Sequence, residues 1–139
     1  MRARGFSLIE LVIVVVIIGI IAAIAVPRMS RGAEGAATSA IARDLAVLNK
    51  AADLYAAEHA GVFPTADDVA SQLTKYTDID GNTSDVLKDP YFYGPYIAAI
   101  PPAPSGPWVG SNGIAASADK FVAWIYDDST GTFTFNDTP

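Results

Sequence analysis

Residues 1–26 read MRARGFSLIELVIVVVIIGIIAAIAV, and the rest of the chain is understood from this stretch. Arg2 and Arg4 form a short basic head ahead of Gly5 and Phe6. From Phe6 to Val26 the run of 21 residues is apolar except for Ser7, Glu10 and Gly19. As a helix rising about 1.5 Å per residue it reaches roughly 31 Å, enough to cross a bilayer core of about 30 Å. A cleavable secretory signal peptide has similar composition, and Ala22-Ala23-Ile24-Ala25 offers it a small-residue cleavage site. A plain membrane anchor with Glu10 near the headgroups is a further reading. Glu10 is the anomaly in each case. A carboxylate at mid-membrane costs about 2.5–3.5 kcal/mol or more, so it needs a partner or a reason.

Outward from this stretch, composition narrows the possibilities. The chain has 139 residues, room for one small domain, and 51% of them are hydrophobic. Outside 6–26 the sequence reads as an acidic soluble domain. A net charge of −6 leaves no basic face for phosphates, which argues against nucleic acid as a partner. With no Cys there is no disulfide framework, thiolate zinc site or Cys nucleophile. A Ser-His-Asp triad would have to use His59, the single histidine. Composition therefore disfavours most enzymes.

Gly5-Phe6-Ser7-Leu8-Ile9-Glu10-Leu11-Val12, followed by the apolar run, resembles the class III signal of the type IV pilin and type II secretion pseudopilin superfamily. The resemblance covers residues 4–28, and Pro27 matches a proline often found a turn beyond the membrane in that family. It implies that a prepilin peptidase cuts between Gly5 and Phe6, that the new Phe6 amine is N-methylated, and that Glu10 is retained for assembly. Glu10 would pair with the Phe6 amine of its own or a neighbouring subunit, so that charge sets the register of otherwise featureless Ile/Val surfaces.

The implied fold class is α+β and pilin-like: a long N-terminal helix, membrane half plus amphipathic half, packed on a small antiparallel sheet. Its parts would be a cleaved leader at 1–5, a hydrophobic transmembrane and filament-core helix at 6–27, an amphipathic half at 28–60 and a globular region at 61–139. The implied role is a structural subunit, not an enzyme, polymerising into a type II secretion pseudopilus or a type IV pilus-like filament. Its partners would be further copies of itself, the prepilin peptidase, an inner-membrane platform protein and an assembly ATPase. It would sit in the bacterial inner membrane before assembly and in a periplasmic or extracellular filament afterwards, with no cofactor and no metal. The lack of cysteines departs from the many type IV pilins with a disulfide-closed C-terminal loop and leans toward the pseudopilin branch, or toward pilins that close the loop by other contacts. The rival from another class is a membrane-anchored binding module with a ligand-binding C-terminal domain.

The remaining segments are read from their own residues. Pro27 predicts a kink or local melting near 22–26, or marks a boundary at the membrane exit. Ile41, Leu45, Leu48, Ala52 and Tyr55 recur at helical spacing, and Val47 and Leu54 widen the apolar stripe. Gly61 and Pro64 end that helix. Thr65 and Asp68 suggest a capping box for a short helix with Val69, Leu73 and Tyr76 on one face. Residues 77–90 read as polar turn. Residues 90–107 hold six of the nine prolines and cannot form a central strand. Residues 121–126 and 132–135, separated by 127–131, read as a β-hairpin whose Trp124, Phe133 and Phe135 should lie against the long helix.

Weaker constellations compete with plainer readings. Asp78, Asp80, Asn82 and Asp89 follow an EF-hand count, but Thr83 takes the glycine place and Pro90 follows, so a solvated turn is preferred. Asp127-Asp128-Ser129-Thr130-Gly131 is the only counterpart of the pseudopilin calcium loop and lacks its longer acidic-glycine run. His59 is expected to cap a helix C-terminus or lie at the surface. Tyr91–Tyr96 is read as packing over the helix, with a glycan or partner surface as the alternative.

Overall fold

The computed structural model describes the backbone of residues 6–138, and the side chains of all of these except 24–31. It falls into two compact units, one ending at Thr38 and the other beginning at Ser39.

The first unit is the opening part of helix α1, which as a whole runs Leu8–Glu58. Its backbone stays helical through Pro27, so the expected melting near 22–26 does not occur. Proline's ring holds φ near −65°, already a helical value, and removes only one hydrogen bond. A long ladder on either side tolerates that loss.

The second unit begins with the closing turns of α1. Leu48, Ala51, Ala52 and Tyr55 are buried to 3% exposure or less, and Ile41 and Leu45 pack at the edge of the same cluster. Val47 and Leu54 remain over two-fifths exposed, so the apolar stripe is narrower than its sequence implied. At the helix end Gly61 takes φ +86° and its N–H reaches back 2.8 Å to the Ala56 carbonyl, a left-handed closure suited to glycine.

Helix α2, Val69–Thr74, follows Pro64. The expected capping box is absent: the Asp68 side chain makes no cap bond, and the Thr65 N–H donates instead to Gln72 Oε1 at 2.8 Å. A longer side chain inside the helix thus satisfies the donor that Asp68 is too short to reach. Lys75 is extended, so Tyr76 leaves the helix and opens strand β1, Tyr76–Thr77. Strand β1 pairs antiparallel with β2, Thr83–Ser84, within the segment read as turn alone.

Strands β3 (Gly113–Ala115), β4 (Val122–Asp127) and β5 (Thr132–Phe135) form a second sheet in that order. The β4–β5 hairpin is as expected, with Trp124 opposite Phe135 and Tyr126 opposite Phe133. Strand β3 is the correction: it runs parallel to β4, so the sheet is mixed and not antiparallel throughout. Parallel neighbours usually need a long crossover, but a three-residue strand requires a return of only about 10 Å. Residues 116–121 cover it. At the hairpin turn Gly131 has φ +68°, and a Cβ there would lie 2.2 Å from the Phe63 ring.

Trp124, Tyr126 and Phe133 meet Leu48, Ala52, Tyr55, Val69 and Leu73 in one core, while Phe135 packs partly buried at its edge, its ring 5.6 Å from that of Trp124. The architecture is α+β, the closing part of a long N-terminal helix packed on small sheets.

Candidate functional site

The N-terminal segment carries the motif residues. Gly5 lies outside the described residues, and Phe6, which follows it, is 82% exposed. Helix α1 starts at Leu8, so Ser7 stands at its N-cap and Glu10 at the third helical position. Glu10 Oε2 accepts the Ser7 N–H at 2.9 Å, while the Glu10 N–H donates to the Ser7 carbonyl at 3.1 Å. This is the acidic half of a capping box, and Ser7-Leu8-Ile9-Glu10 has the S-x-x-E pattern that signals it. The pattern is legible in the sequence itself, and it gives Glu10 a local role besides the one expected in assembly. A carboxylate in the first turn also faces the positive end of the helix dipole. In this chain the Phe6 nitrogen is an amide, so the partner of Glu10 is a backbone donor, the Ser7 N–H.

Beyond this cap the helix offers no polar side. Every large apolar side chain from Leu8 to Ile21 is at least 48% exposed in the single chain. Phe6, Glu10, Leu11 and Val14 line a shallow cavity of about 290 Å³ on this surface. A helix that is apolar all round is stable only inside lipid or among other apolar helices. Among the described residues no helix is long and apolar enough to cross a membrane. In the opening part of α1 the described side chains run to residue 23, about 24 Å from its start by rise per residue, and the side chains of residues 24–27 of the expected span lie outside the described ones.

The other sequence candidates sit in the second unit. Asp78 spends its carboxylate on its own loop: Oδ1 accepts from the Asp80 and Asn82 N–H groups at 3.0 and 2.9 Å, and Oδ2 from Asn82 Nδ2 at 2.8 Å. Burial pushes this carboxyl upward, and the hydrogen bonds from Asn82, Asp80 and Gly81 together outweigh it, leaving the pKa below the usual 3.8. Asp127 Oδ1 likewise takes the Ser129 N–H and hydroxyl at 2.9 and 2.6 Å, which holds its pKa low. Both acids organise turns. Among the described residues no three of His, Cys, Asp and Glu gather where they could hold a metal ion.

His59 is not at the surface. It is 3% exposed and stacks on Tyr55 with rings 3.8 Å apart and parallel within 1°. Its Nδ1 lies 2.8 Å from the Tyr55 carbonyl and its Nε2 2.8 Å from that of Asp78, so it joins the end of α1 to the β1–β2 loop. Tyr93 and Tyr96 close over this pair, and the Tyr96 hydroxyl donates to Glu58 at 2.6 Å. Tyr93 and Tyr96 of the aromatic run therefore pack over the helix end, while Phe92 stays 62% exposed and Tyr91 lies by Lys88, whose Nζ is 5.9 Å from its ring.

Compared with known proteins, residues 1–26 match the family model of the prokaryotic N-terminal methylation motif. No curated protein and no solved structure matches the chain.

Proposed function

We propose that the chain, which carries the N-terminal methylation motif of prepilins, is a structural filament subunit and not an enzyme. Residues 1–5 are its leader, removed by a prepilin peptidase between Gly5 and Phe6, and the new Phe6 amine is methylated. The run 6–26 then holds the subunit in the inner membrane until it polymerises, helix against helix, into a type IV pilus-like filament or a type II secretion pseudopilus. A platform protein and an assembly ATPase drive that step.

One observation carries this reading: an apolar helix surface exposed all round, with a single acid, Glu10, at the end that cleavage turns into an amine. Once Phe6 is a terminus, its ammonium and the Glu10 carboxylate share a low-dielectric environment. Paired, each offsets much of the other's desolvation; alone, each costs several kcal/mol. A neighbour's helix provides the apolar surroundings, and the charge pair sets the register.

Mass spectrometry of the mature protein should begin at Phe6 with one added methyl group. A terminus after Ala23 or Ala25 would mean an ordinary signal peptide and would end the filament reading. Glu10→Gln separates the two roles of the acid, since the amide oxygen still accepts the Ser7 N–H but carries no charge. Glu10→Gln and Glu10→Leu should both be cleaved and membrane-bound, and both should fail to give sheared filaments in a strain without a wild-type copy. Normal filament yield from either would sink the charge pairing.

A further inference from the structure

In the unit that begins at Ser39, the loop before β4 holds an aromatic ring outward at a cost in backbone strain. Phe121 is 76% exposed yet has φ +64°, a left-handed conformation unfavourable for a non-glycine residue. Nothing about an exposed phenyl ring demands this, so the surroundings must impose it. Ser111 Oγ donates to the Phe121 carbonyl, and the Gly113 N–H in turn donates to Ser111 Oγ at 3.2 Å. Asn136, 1% exposed, donates through Nδ2 to the carbonyls of Asp119 at 3.1 Å and Val122 at 2.9 Å. The β3–β4 register shifts at Gly113/Ile114, and such irregularities commonly re-aim side chains beside a site.

The ring so fixed stands 5.5 Å from Trp108, tilted 59° to it. The indole is held in turn by Nε1 donating to the Thr138 carbonyl at 2.9 Å. Beside it lies a cavity of about 160 Å³ lined by Trp108, Ala118, Asp119, Lys120 and Thr138. That volume suits a single six-membered ring, since a cavity of about 150 Å³ holds one benzene. It is smaller than the roughly 300–1,000 Å³ of sites for larger ligands. A purely apolar ring is the wrong occupant, because two residues of opposite charge, Asp119 and Lys120, line the cavity.

We propose that this cavity binds a neutral pyranose, one sugar ring or the terminal ring of a glycan. The C–H face of the sugar lies on the indole, whose π face is negative. The hydroxyls donate to the Asp119 carboxylate and accept from the Lys120 ammonium. Opposite charges on adjacent residues favour an uncharged ligand with both donors and acceptors over an anion. The Phe121 ring, held beside Trp108, supports the indole from outside the cavity and lowers the ordering cost. Binding needs no assembly and stands apart from the filament reading.

The test is a fluorescence titration of the full chain in a detergent without a sugar headgroup. The probes are methyl β-glucoside, methyl β-galactoside and N-acetylglucosamine, each to roughly 50 mM. Trp108 reports the site, because the only other tryptophan, Trp124, is fully buried with its Nε1 on the Pro101 carbonyl at 2.8 Å. At least one probe should shift the emission, with a dissociation constant of about 1–10 mM for so small a ligand. Phe121→Gly relieves the strained φ, so it should be at least as stable as the parent yet bind at least fivefold more weakly. Asp119→Asn should weaken binding by a similar factor. No response to any of the three sugars overturns the proposal, as does a response that both variants retain in full.

Discussion

Asn49 Oδ1 accepts the backbone N–H of Phe133 at 2.7 Å, tying the closing part of α1 to strand β5 across 84 positions of sequence. It is a polar clasp at the border of an apolar core. Phe133 is 2% exposed, so its N–H has no ready substitute in water. Asn49→Ala should therefore cost about 1–3 kcal/mol, the penalty for leaving a buried donor without an acceptor. Denaturant unfolding would measure it. Asn49→Asp, which retains an acceptor, should lose less, and equal losses would show that the clasp contributes nothing of its own.

The compact unit that begins at Ser39 contains the whole core cluster, none of which comes from the apolar half of α1. A fragment spanning 32–139 should thus fold and unfold cooperatively without the N-terminal helix. Within it, Leu48→Ala should cost about 2–5 kcal/mol, because Leu48 is fully buried and the truncation leaves a cavity. Val47→Ala, one residue away on the exposed side, should stay within about 0.5 kcal/mol. Similar losses at both positions would contradict the placement of the stripe.

Tyr126 is fully buried, and its hydroxyl donates to the Pro64 carbonyl at 3.0 Å. Burial, reinforced by the charge of Asp128, pushes its ionisation above the usual 10.0. The folded state keeps this proton where the unfolded chain has lost it. Its contribution is complete below about pH 10 and is lost as pH rises toward the elevated folded value. Tyr126→Phe should cost about 1 kcal/mol at neutral pH and make the fall in melting temperature above pH 10 shallower. An unchanged alkaline limb would exclude Tyr126 from it.

Asp78 works in the opposite direction. Its folded pKa lies below the usual 3.8, so its stabilisation is present above that value and lost as pH falls through the depressed one. Stability curves of the parent and of Asp78→Asn should accordingly separate at neutral pH and converge as pH falls through the depressed value. Curves that stay parallel into acid would show that the loop is held by the shape of the side chain and not by its charge.

Much of this was legible in the residues. Periodicity marked Leu48, Ala52 and Tyr55 as the inward face of a helix because a 3.6-residue repeat maps directly onto one side of a cylinder. Alternation and a glycine-bearing turn gave the β4–β5 hairpin for the same local reason. Strand β3 and the β1–β2 pair escaped because strands of two or three residues have too short a period to register, and their pairing depends on distant partners. Of the two expectations for His59, the helix-end role holds through Nδ1 at the Tyr55 carbonyl, and the surface one fails because its other partners, the Asp78 carbonyl and the Tyr93 and Tyr96 rings, come from segments far along the chain.

At the N-terminus, basic head, Gly5-Phe6, Glu10 and an apolar run speak through composition and spacing alone, and residues 1–26 match the methylation motif. A single helix needs only contacts three and four residues apart, so its character is written locally. Tertiary contacts alone settled that the sheet is mixed and that Phe121 is held outward beside Trp108. Those outcomes depend on hydrogen bonds between residues distant in sequence, such as Asn136 with Asp119 and Val122. No local pattern encodes them, because the partner that fixes each backbone carbonyl is known only once the chain has folded back on itself.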